Sequence, residues 1–488
     1  MTLLQPGRSC WRVEPAGRVA FLVDTQAYFS AVAQALPQAR RSIFLLGWGF
    51  DPRTRLSPDG SETPGDPDEI GRMLIELGMR RPELDIRLLI WRSALPVAAS
   101  QEFFPHRARA WFKNTSIKFR LDDAVPFGAC HHQKVLVIDD QIAFCGGGDF
   151  STDRWDSVAH LDGDSRRIDP DHHLHAPRHE VMALVDGPAA RALGDLARER
   201  WRRATGETLA APSAEDVETG SDAWPQGQRP DLVDTRVAIA RTEPAWAGRP
   251  AVEEWRALTL DSIARAERTL YLENQYFTSP VVAEALARRL TEPHGPQVVL
   301  VSTVRSPSYF DRLTMDRTRA LALGRLQKAD VFGRFRAYHP RTIAGRPIIV
   351  HAKVSIVDDR LARIGSGNLN NRSGGFDTEC ELGIEAQDAA QSEAITRLRD
   401  RLIGHYLGRT AADVAHAVAR HGGMIQAVEA LRHGPRLAPL EVRPLGPIAR
   451  FIADYHLGDP LGVGDSWGVL RRQQLLRAQV AAVEQGTE

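Results

Sequence analysis

The sequence predicts an α/β fold of two similar half-domains, each a mixed and mostly buried sheet flanked by helices. The main observation is a duplicated motif, since HQKVLVID begins at His132 and HAKVSIVD begins at His351. The surroundings match as well: a helical stretch and an apolar strand precede each copy, and a strand and a helix follow it. Strands that alternate with helices favour layered α/β folds. We therefore expect two halves packed about a pseudo-twofold axis, with an active site between them.

The first half opens its repeated part with the alanine-rich stretch 31–39, which reads as a helix. It leads through arginine into the apolar strand RRSIFLLGWGF at 40–50, and a buried-looking strand follows at 86–91. After the motif, EVMALVDGPAARALGDLARERW at 180–201 supplies a further strand and a helix with apolar residues three and four apart.

The second half repeats this order of elements. The stretch 258–266 leads through arginine into the strand ERTLYLENQYF at 267–277, and QVVLVSTV at 297–304 is the next strand. After the second motif, ELGIEAQDAAQSEAITRLRDRL at 381–402 supplies the last strand and helix. Each half therefore repeats the same series of strands and helices around one motif.

The boundaries of the repeat divide the chain into four segments. The stretch between the halves is rich in Pro, Gly, Ser and acidic residues, which is typical of an exposed linker or excursion. The last segment lies outside the repeat and combines helical and loop-like stretches without identifiable chemistry. The predicted segments are 1–206 (first half), 207–231 (polar linker), 232–409 (second half) and 410–488 (C-terminal extension).

Composition narrows the classes of function. Basic and acidic residues number 62 each, and this zero net charge argues against a dedicated nucleic-acid binder. The four cysteines show no CxxC spacing, so neither a disulfide framework nor a zinc site is indicated. DHHLH at 171–175 has no second cluster of ligands and is interpreted as a solvated loop. We expect no metal and no other cofactor.

The sequence also carries expectations about location and assembly. The first residues lack the apolar core of a secretory signal, and runs such as IFLLGWGF at 43–50 are too short to span a bilayer. We expect a cytoplasmic or peripheral membrane protein, and export by a route without a signal peptide stays open. Because one chain already carries both motifs, we expect a monomer.

The motif pairs an imidazole with an ammonium. In strand geometry residues two apart share a face, so His132 and Lys134 point together, as do His351 and Lys353. Imidazole can attack phosphorus or protonate a leaving oxygen, and ammonium stabilises the charge on phosphoryl oxygens. Cleavage of a phosphodiester needs one nucleophile and one general acid. Two copies of the motif supply both.

The choice of lysine supports this interpretation. Only five of the 62 basic residues are lysines, yet both motif positions carry one. Arginine and lysine differ in charge distribution and hydration, so a compact ammonium is indicated at these two places.

Other residues of the motif shape the site. Asp139 and Asp358 lie seven residues after their histidines, an odd separation that points them to the opposite face of a regular strand, so we expect them to fix local structure. The glycine-rich turns GGGD at 146–149 and GSGN at 365–368 would let the backbone approach a phosphate, with Ser366 and Asn368 as hydrogen-bond donors.

These residues resemble the phospholipase D superfamily, whose signature is HxKx4D followed by a GG or GS element. Both copies match, and the resemblance covers about residues 20 to 405. The flanks DRWD, ENQYF, PRHEVMALVDGPAAR and NNRSGGFDTE are similar to the eukaryotic-type branch that cleaves phosphatidylcholine. No lipid-targeting domain like those preceding the catalytic core in animal and plant members is recognised.

The resemblance implies a two-step, metal-independent reaction with a phosphohistidine intermediate. By analogy His132 is the nucleophile and His351 the general acid and base, although the symmetry of the motifs leaves this order open. In the family each catalytic histidine is held by a downstream carboxylate, and the positions that match here are Glu180 and Glu379. The expected catalytic residues are His132, Lys134, Asp139, Glu180, His351, Lys353, Asp358 and Glu379. The expected phosphate- or substrate-binding residues are Trp48, Gly147, Asp149, Gln275, Tyr276, Ser366 and Asn368.

The predicted function is that of a phospholipase D-like phosphodiesterase or phosphatidyltransferase. It would cleave glycerophospholipids such as phosphatidylcholine or phosphatidylethanolamine to phosphatidic acid and free headgroup at a membrane surface, with transfer to an alcohol as a further outcome. A cardiolipin-synthase-like phosphatidyltransferase is the first alternative. A nuclease of the same superfamily is disfavoured by the zero net charge. An inactive phospholipid-binding protein is disfavoured because both motifs are intact. Headgroup preference stays open.

Overall fold

The computed structural model describes residues 2–58, 68–93, 105–212, 222–434, 436–442 and 444–486. Part of the predicted linker, residues 213–221, lies outside the described residues. The strands are β1 (Arg12–Val23), β2 (Ser42–Gly47), β3 (Asp85–Trp91), β4 (Lys118–Asp122), β5 (Val135–Ile138), β6 (Ile142–Gly146), β7 (Arg178–His179), β8 (Val181–Asp186), β9 (Leu232–Glu243), β10 (Val252–Glu253), β11 (Thr269–Glu273), β12 (Gln297–Val301), β13 (Phe335–Pro340), β14 (Ile349–Val350), β15 (Val354–Val357), β16 (Leu361–Gly365), β17 (Glu379–Glu385) and β18 (Leu437–Pro439).

The α-helices are α1 (Thr25–Ala35), α2 (Ile70–Arg80), α3 (Pro105–Trp111), α4 (Gly187–Thr205), α5 (Glu254–Ala264), α6 (Pro280–Thr291), α7 (Tyr309–Leu313), α8 (Met315–Ala329), α9 (Asn371–Gly375), α10 (Ala389–Leu407), α11 (Ala411–His421), α12 (Met424–Leu431), α13 (Pro447–Asp454) and α14 (Val469–Gln485). The helices and strands predicted around each motif are present. No helix within the described ranges is both long enough and apolar enough to cross a bilayer.

One large mixed sheet runs through both halves, which confirms the predicted α/β class, although a separate sheet was expected in each half. The first half contributes the strand order β4-β3-β2-β5-β6-β8-β1, and the second half repeats it as β13-β12-β11-β15-β16-β17-β9. The two orders meet where β1 and β9 pair antiparallel, with Arg12 opposite Ile239 and Val19 opposite Leu232. This antiparallel pair relates the halves by a pseudo-twofold axis. The sequence analysis named no strand before either alanine-rich stretch and so omitted β1 and β9.

Among the apolar clusters of the described residues, three large ones pack around this sheet. One packs the first-half sheet against its helices, and a second does the same for the other half. The third lies between the halves and combines residues of both, including Val135, Val354 and the buried faces of α4 and α10. Burial of so much apolar surface between the halves favours a fixed relative position. The C-terminal extension adds β18 to the outer edge of the sheet, beside β13.

The motif aspartates hold the turn at the far end of the motif strand. Asp139 accepts hydrogen bonds from the backbone N–H groups of Arg40 (2.7 Å), Arg41 (2.8 Å) and Ser42 (2.8 Å). Asp358 does the same in the second half, for the N–H groups of residues 267–269. Each carboxylate therefore anchors the start of the neighbouring strand, β2 or β11. These contacts agree with the expectation that the two aspartates fix local structure.

We expect Asp139→Asn to lower the free energy of unfolding by about 1–3 kcal/mol, because the amide cannot accept from Arg40 N–H and the charge is lost. Asparagine still tolerates the positive φ of 54° at this position. Urea unfolding measures the change, and Asp123→Asn at an exposed ion pair is the control. Equal stability of the two variants would contradict the anchoring role.

Candidate active site

Each motif histidine lies on a segment that contacts the opposite half of the chain. His132 and Lys134 lie just before β5, and His351 and Lys353 lie just before β15. The sequence analysis had predicted that both pairs lie within regular strands. The backbone N–H of His351 donates to His179 O (2.9 Å), and that of His132 donates to Thr378 O (3.1 Å). The short parallel pair β7–β14 continues the first of these contacts. Each motif is therefore bonded to the segment that precedes the other half's glutamate.

The two glutamates also contact the opposite half of the chain. A hydrogen bond of 2.9 Å joins His132 Nδ1 to Glu379 Oε2, and one of 2.6 Å joins His351 Nδ1 to Glu180 Oε2. Both carboxylates are fully buried. Each imidazole is thus held by a carboxylate of the opposite half, and its Nε2 is the ring nitrogen left for other contacts.

The surroundings of the two glutamates differ. Glu379 accepts hydrogen bonds from the hydroxyls of Ser366 (2.5 Å) and Ser373 (2.6 Å). Glu180 lies against Gly147, where an added Cβ would fall 2.4 Å from its Oε1. Ser366 and Gly147 thus occupy matching places in the two motifs with different effects. One supplies a donor, and the other leaves room for the carboxylate.

Both lysines belong to the same site. Lys134 Nζ donates to His132 O (2.9 Å) and lies 3.4 Å from Asp149 Oδ2. Lys353 Nζ donates to His351 O (2.5 Å). The positive charge of each lysine reaches both histidines and lowers the pKa of both. The two half-sites therefore share one electrostatic environment, as the predicted fold requires.

Burial controls the charge of these groups. It lowers the pKa of His132 and of His351 well below the ordinary value, and the lysines add to the effect. Burial raises the pKa of Glu379 to about 7, against the opposing effect of its two hydroxyl donors. It raises the pKa of Glu180 to about 7 as well, and lowers that of Lys353 to about 7. Several groups of the site thus change charge near neutral pH.

Contacts with neighbouring side chains and backbone groups fix several of the other predicted binding residues. Asp149 accepts from the backbone N–H of Trp48 (2.9 Å), and the Trp48 ring stacks on Trp91 at 5.6 Å between centroids. Tyr276 donates its hydroxyl proton to Asp311 Oδ2 (2.9 Å) and accepts from Gln275 Nε2 (3.1 Å). These contacts hold both aromatic side chains in place.

The turn that follows the second motif is fixed in a similar way. The backbone N–H of Asn368 donates to Ser373 Oγ (2.9 Å), so the serine that bonds Glu379 also holds this turn. Asn368 Oδ1 is buried and has no hydrogen-bond partner within the described ranges.

Two arginines near His351 were missed by the sequence analysis. The guanidiniums of Arg154 (2.9 Å) and Arg178 (3.0 Å) share the single carboxylate of Asp153, and both charges lower the pKa of His351. In the described part of the chain the Nε atoms of both arginines are buried without a partner. The segments DRWD and PRHEV were the available signal. An excess of positive charge suits an anionic ligand.

The arrangement supports phosphoryl transfer. It provides two imidazoles with Nδ1 fixed by a carboxylate, two ammoniums and two guanidiniums around one site. A fixed Nδ1–H leaves a lone pair on Nε2 for attack, and a protonated Nε2 serves as an acid. The cations can stabilise the negative oxygens of a phosphoryl group in transfer.

Part of the chain matches a known protein-family model, and most of it is similar to known proteins. Residues 259–402 match the family model described as "Cardiolipin synthase, PLD-like domain". The chain is 23% identical to "Phospholipase D A" of Dictyostelium discoideum, over 80% of this chain and 35% of the relative. It is 23% identical to "Cardiolipin synthase A" of Pseudomonas putida (strain W619), over 76% of this chain and 66% of the relative.

A plant relative and a solved structure complete the comparison. "Phospholipase D alpha 4" of Arabidopsis thaliana is 23% identical, over 78% of this chain and 64% of the relative. The chain thus spans about a third to two thirds of the length of these curated relatives. The fold is similar to that of phosphatidylserine synthase from Haemophilus influenzae Rd KW20, with a TM-score of 0.53, 13% identity, and coverage of 86% of this chain and 96% of the other.

We expect one lysine to titrate near pH 7, because burial lowers the pKa of Lys353 to about 7. Lys353 would be charged below that pH and neutral above it. With only five lysines in the chain, [ε-13C]lysine labelling gives a short list of NMR signals to follow against pH. The signal should vanish in Lys353→Arg and persist in Lys328→Arg, which changes an exposed lysine. Five signals that all titrate near pH 10 would contradict the assigned burial.

Proposed function

The chain belongs to the phospholipase D superfamily, and from that premise we propose that it is an enzyme acting on the phosphodiester of glycerophospholipids. The proposed reaction hydrolyses lipids such as phosphatidylcholine or phosphatidylethanolamine to phosphatidic acid and the free headgroup. The observation that carries the proposal is the crossed pairing of His132 with Glu379 and of His351 with Glu180, because it orients both imidazoles through contacts between the two halves.

In the first step His132 is the nucleophile. Its Nε2 forms a bond to phosphorus while the bond from phosphorus to the headgroup oxygen breaks, giving a phosphohistidine. The two hydroxyls that donate to Glu379 favour the ionised carboxylate, which in turn keeps the proton of His132 on Nδ1 and the lone pair on Nε2. This hydrogen bonding supports His132 as the nucleophile, an order that the repeated motif leaves open.

His351 handles the protons in both steps. It gives a proton from Nε2 to the leaving headgroup oxygen, and then takes one from the water that attacks the phosphohistidine. Lys134 and Lys353 stabilise the negative phosphoryl oxygens during both transfers. Arg154 and Arg178, whose charges act on His351, add positive potential on the side of the leaving group.

A lipid substrate is supported by surface and charge. Zero net charge does not favour a polyanionic partner. Phe127, five residues before His132, is 75% exposed and stacks at 5.7 Å on Trp467, which is 77% exposed. Exposed aromatic rings suit the interfacial region of a bilayer. We assign this pair, which joins the C-terminal extension to the first motif, to contact with the membrane surface that holds the substrate.

The second candidate is a phosphatidyltransferase of the cardiolipin synthase type. The family model that matches residues 259–402 and the Pseudomonas relative carry that name and favour it. The phosphohistidine and the residue roles would be the same, and an alcohol such as phosphatidylglycerol would replace water in the second step. The two candidates therefore differ only in the acceptor.

We expect the wild-type protein to release headgroup and phosphatidic acid from mixed phospholipid vesicles, with products read by mass spectrometry. His132→Asn and His351→Asn should each lower the rate by about 10²–10⁴-fold or more, because each removes one of two required roles. His173→Asn, an exposed histidine, is the control.

Labelled phosphatidylglycerol in the same vesicles separates the candidates. A diphosphatidyl product in place of phosphatidic acid would favour the transferase. Turnover that is the same in His132→Asn as in the wild type would contradict the proposed mechanism for both.

We expect Gly147→Ala to lower turnover about 10-fold or more, because the new Cβ would displace the Glu180 carboxylate from His351. The fold should persist, since the atom displaced is the end of a side chain. Gly374→Ala, whose Cβ would meet open space, is the matched control. Circular dichroism and thermal unfolding verify folding of both. Full activity of Gly147→Ala would show that Glu180 does not need this position.

A further inference from the structure

A second cluster of ionisable groups lies buried beside the active site. It consists of Asp24, between β1 and α1; His160, in the loop before β7; His179, in β7; and His405, in α10. One ligand-type atom from each of the four lies within 4.8 Å of the others. None of the four has a role in the proposed phosphoryl transfer.

His179 is fully engaged inside this cluster. Its Nδ1 lies 2.8 Å from Asp24 Oδ1, and its Nε2 lies 2.8 Å from Glu273 Oε2. Both ring nitrogens therefore have carboxylate partners. His179 fixes the orientation of Asp24 and leaves the other oxygen, Oδ2, to face the rest of the cluster.

Three atoms converge opposite that oxygen. His160 Nε2 lies 2.9 Å from His405 Nε2. Asp24 Oδ2 lies 3.4 Å from His405 Nε2 and 3.6 Å from His160 Nε2. Ligands of a tetrahedral ion with bonds of about 2.0–2.1 Å are separated by about 3.3 Å, so shifts of a few tenths of an ångström would place an ion among the three atoms.

Hydrogen bonding prepares the same atoms for a metal. His160 Nδ1 lies 2.8 Å from Asp156 Oδ2, which places its proton on Nδ1 and the lone pair on Nε2. Asp24 Oδ2 is buried and has no hydrogen-bond partner within the described ranges. A proton shared by the two histidines would leave this carboxylate oxygen unsatisfied, at a cost of about 1–3 kcal/mol. A cation bound by all three atoms removes that cost.

We propose that Asp24 Oδ2, His160 Nε2 and His405 Nε2 bind a divalent transition-metal ion, with Zn²⁺ the best match. Two imidazoles and one carboxylate are borderline ligands that suit Zn²⁺, and a water molecule would complete four-coordination. The side chains of the three ligands are at most 5% exposed, so the ion would be enclosed. The sequence analysis expected no metal, because the cysteines and DHHLH at 171–175 offered no set of ligands. The three residues proposed here share no local spacing that would have indicated them.

The proposed ion connects the two halves. Asp24 and His160 belong to the first half and His405 to the second. Asp24 also bonds the backbone on both sides of Glu180: its N–H donates to Glu180 O (2.8 Å), and its Oδ1 accepts from Glu180 N–H (3.2 Å). The metal would therefore be a positioning element that holds the halves in register beside Glu180, and it goes beyond the proposed reaction, in which it takes no step.

The test is metal retention by the full chain. Protein stripped with a chelator, loaded with Zn²⁺ and dialysed should retain about one equivalent by elemental analysis, and its thermal midpoint should rise. His160→Gln and His405→Gln should lose the retained zinc and the rise. His173→Gln, in an exposed loop, and His132→Asn, in the active site, should retain both.

Wild-type protein that retains no zinc, or His405→Gln that retains as much as wild type, would overturn the proposal. Because the glutamine variants can fail to fold, Co²⁺ loading of the wild type supplies a second measurement. A visible spectrum of tetrahedral Co²⁺, present equally in His132→Asn, supports the site. A spectrum of octahedral Co²⁺, or none, overturns it.

Discussion

The crossed contact between each motif histidine and the other half's glutamate is the constraint on which the candidate site depends. His132 is held by Glu379 and His351 by Glu180, so neither half alone supplies both the motif histidine and its carboxylate partner. The site exists only where the halves are docked in one register. The shared core, the β1–β9 pair and the β7–β14 pair all fix that register. A fold that looks like two repeated units is therefore one functional unit.

Burial shifts the pKa values of the groups in this contact and also removes their solvation by water. Charged groups removed from water are tolerated when partners replace the lost solvation. Glu379 has two hydroxyls and an imidazole as partners, and Asp24 beside Glu180 is held by His179 and by a backbone N–H. Burial itself moves the pKa values of Glu180, Glu379 and Lys353 to about 7, where small changes in environment transfer a proton. The favourable free energy of burying the apolar core between the halves offsets the unfavourable free energy of burying these polar and charged groups.

Much of the fold could be predicted from the sequence because the repeat is local and strongly patterned. The motif strands, the strands β2 and β11 that precede them and the helices α4 and α10 all follow from apolar periodicity within one segment. Asp139 makes the kind of structural contact that was expected, although His132 and Asp139 both lie outside the strand on which the spacing argument depended. What the sequence could not predict depends on long-range docking: the crossed glutamates, the β1–β9 pair, the charges of Arg154 and Arg178, and a cluster whose members Asp24 and His405 are 381 residues apart. No local spacing encodes such contacts.

The two half-sites are alike in backbone and unlike in chemistry, and the proposed reaction needs that difference. A phosphodiester cannot be cleaved by two groups that both attack or both donate, so a symmetric site would have to break its symmetry with each substrate. In this chain the two half-sites already differ before any substrate binds, because Ser366 donates to Glu379 whereas Gly147 only leaves room for Glu180. Asp149 and Asn368 differ in the same way, since only the first carries a charge beside its lysine. A duplicated motif therefore keeps the geometry common to both halves, and in the proposed reaction the single differences in the turns that follow give the two histidines different surroundings and so different roles.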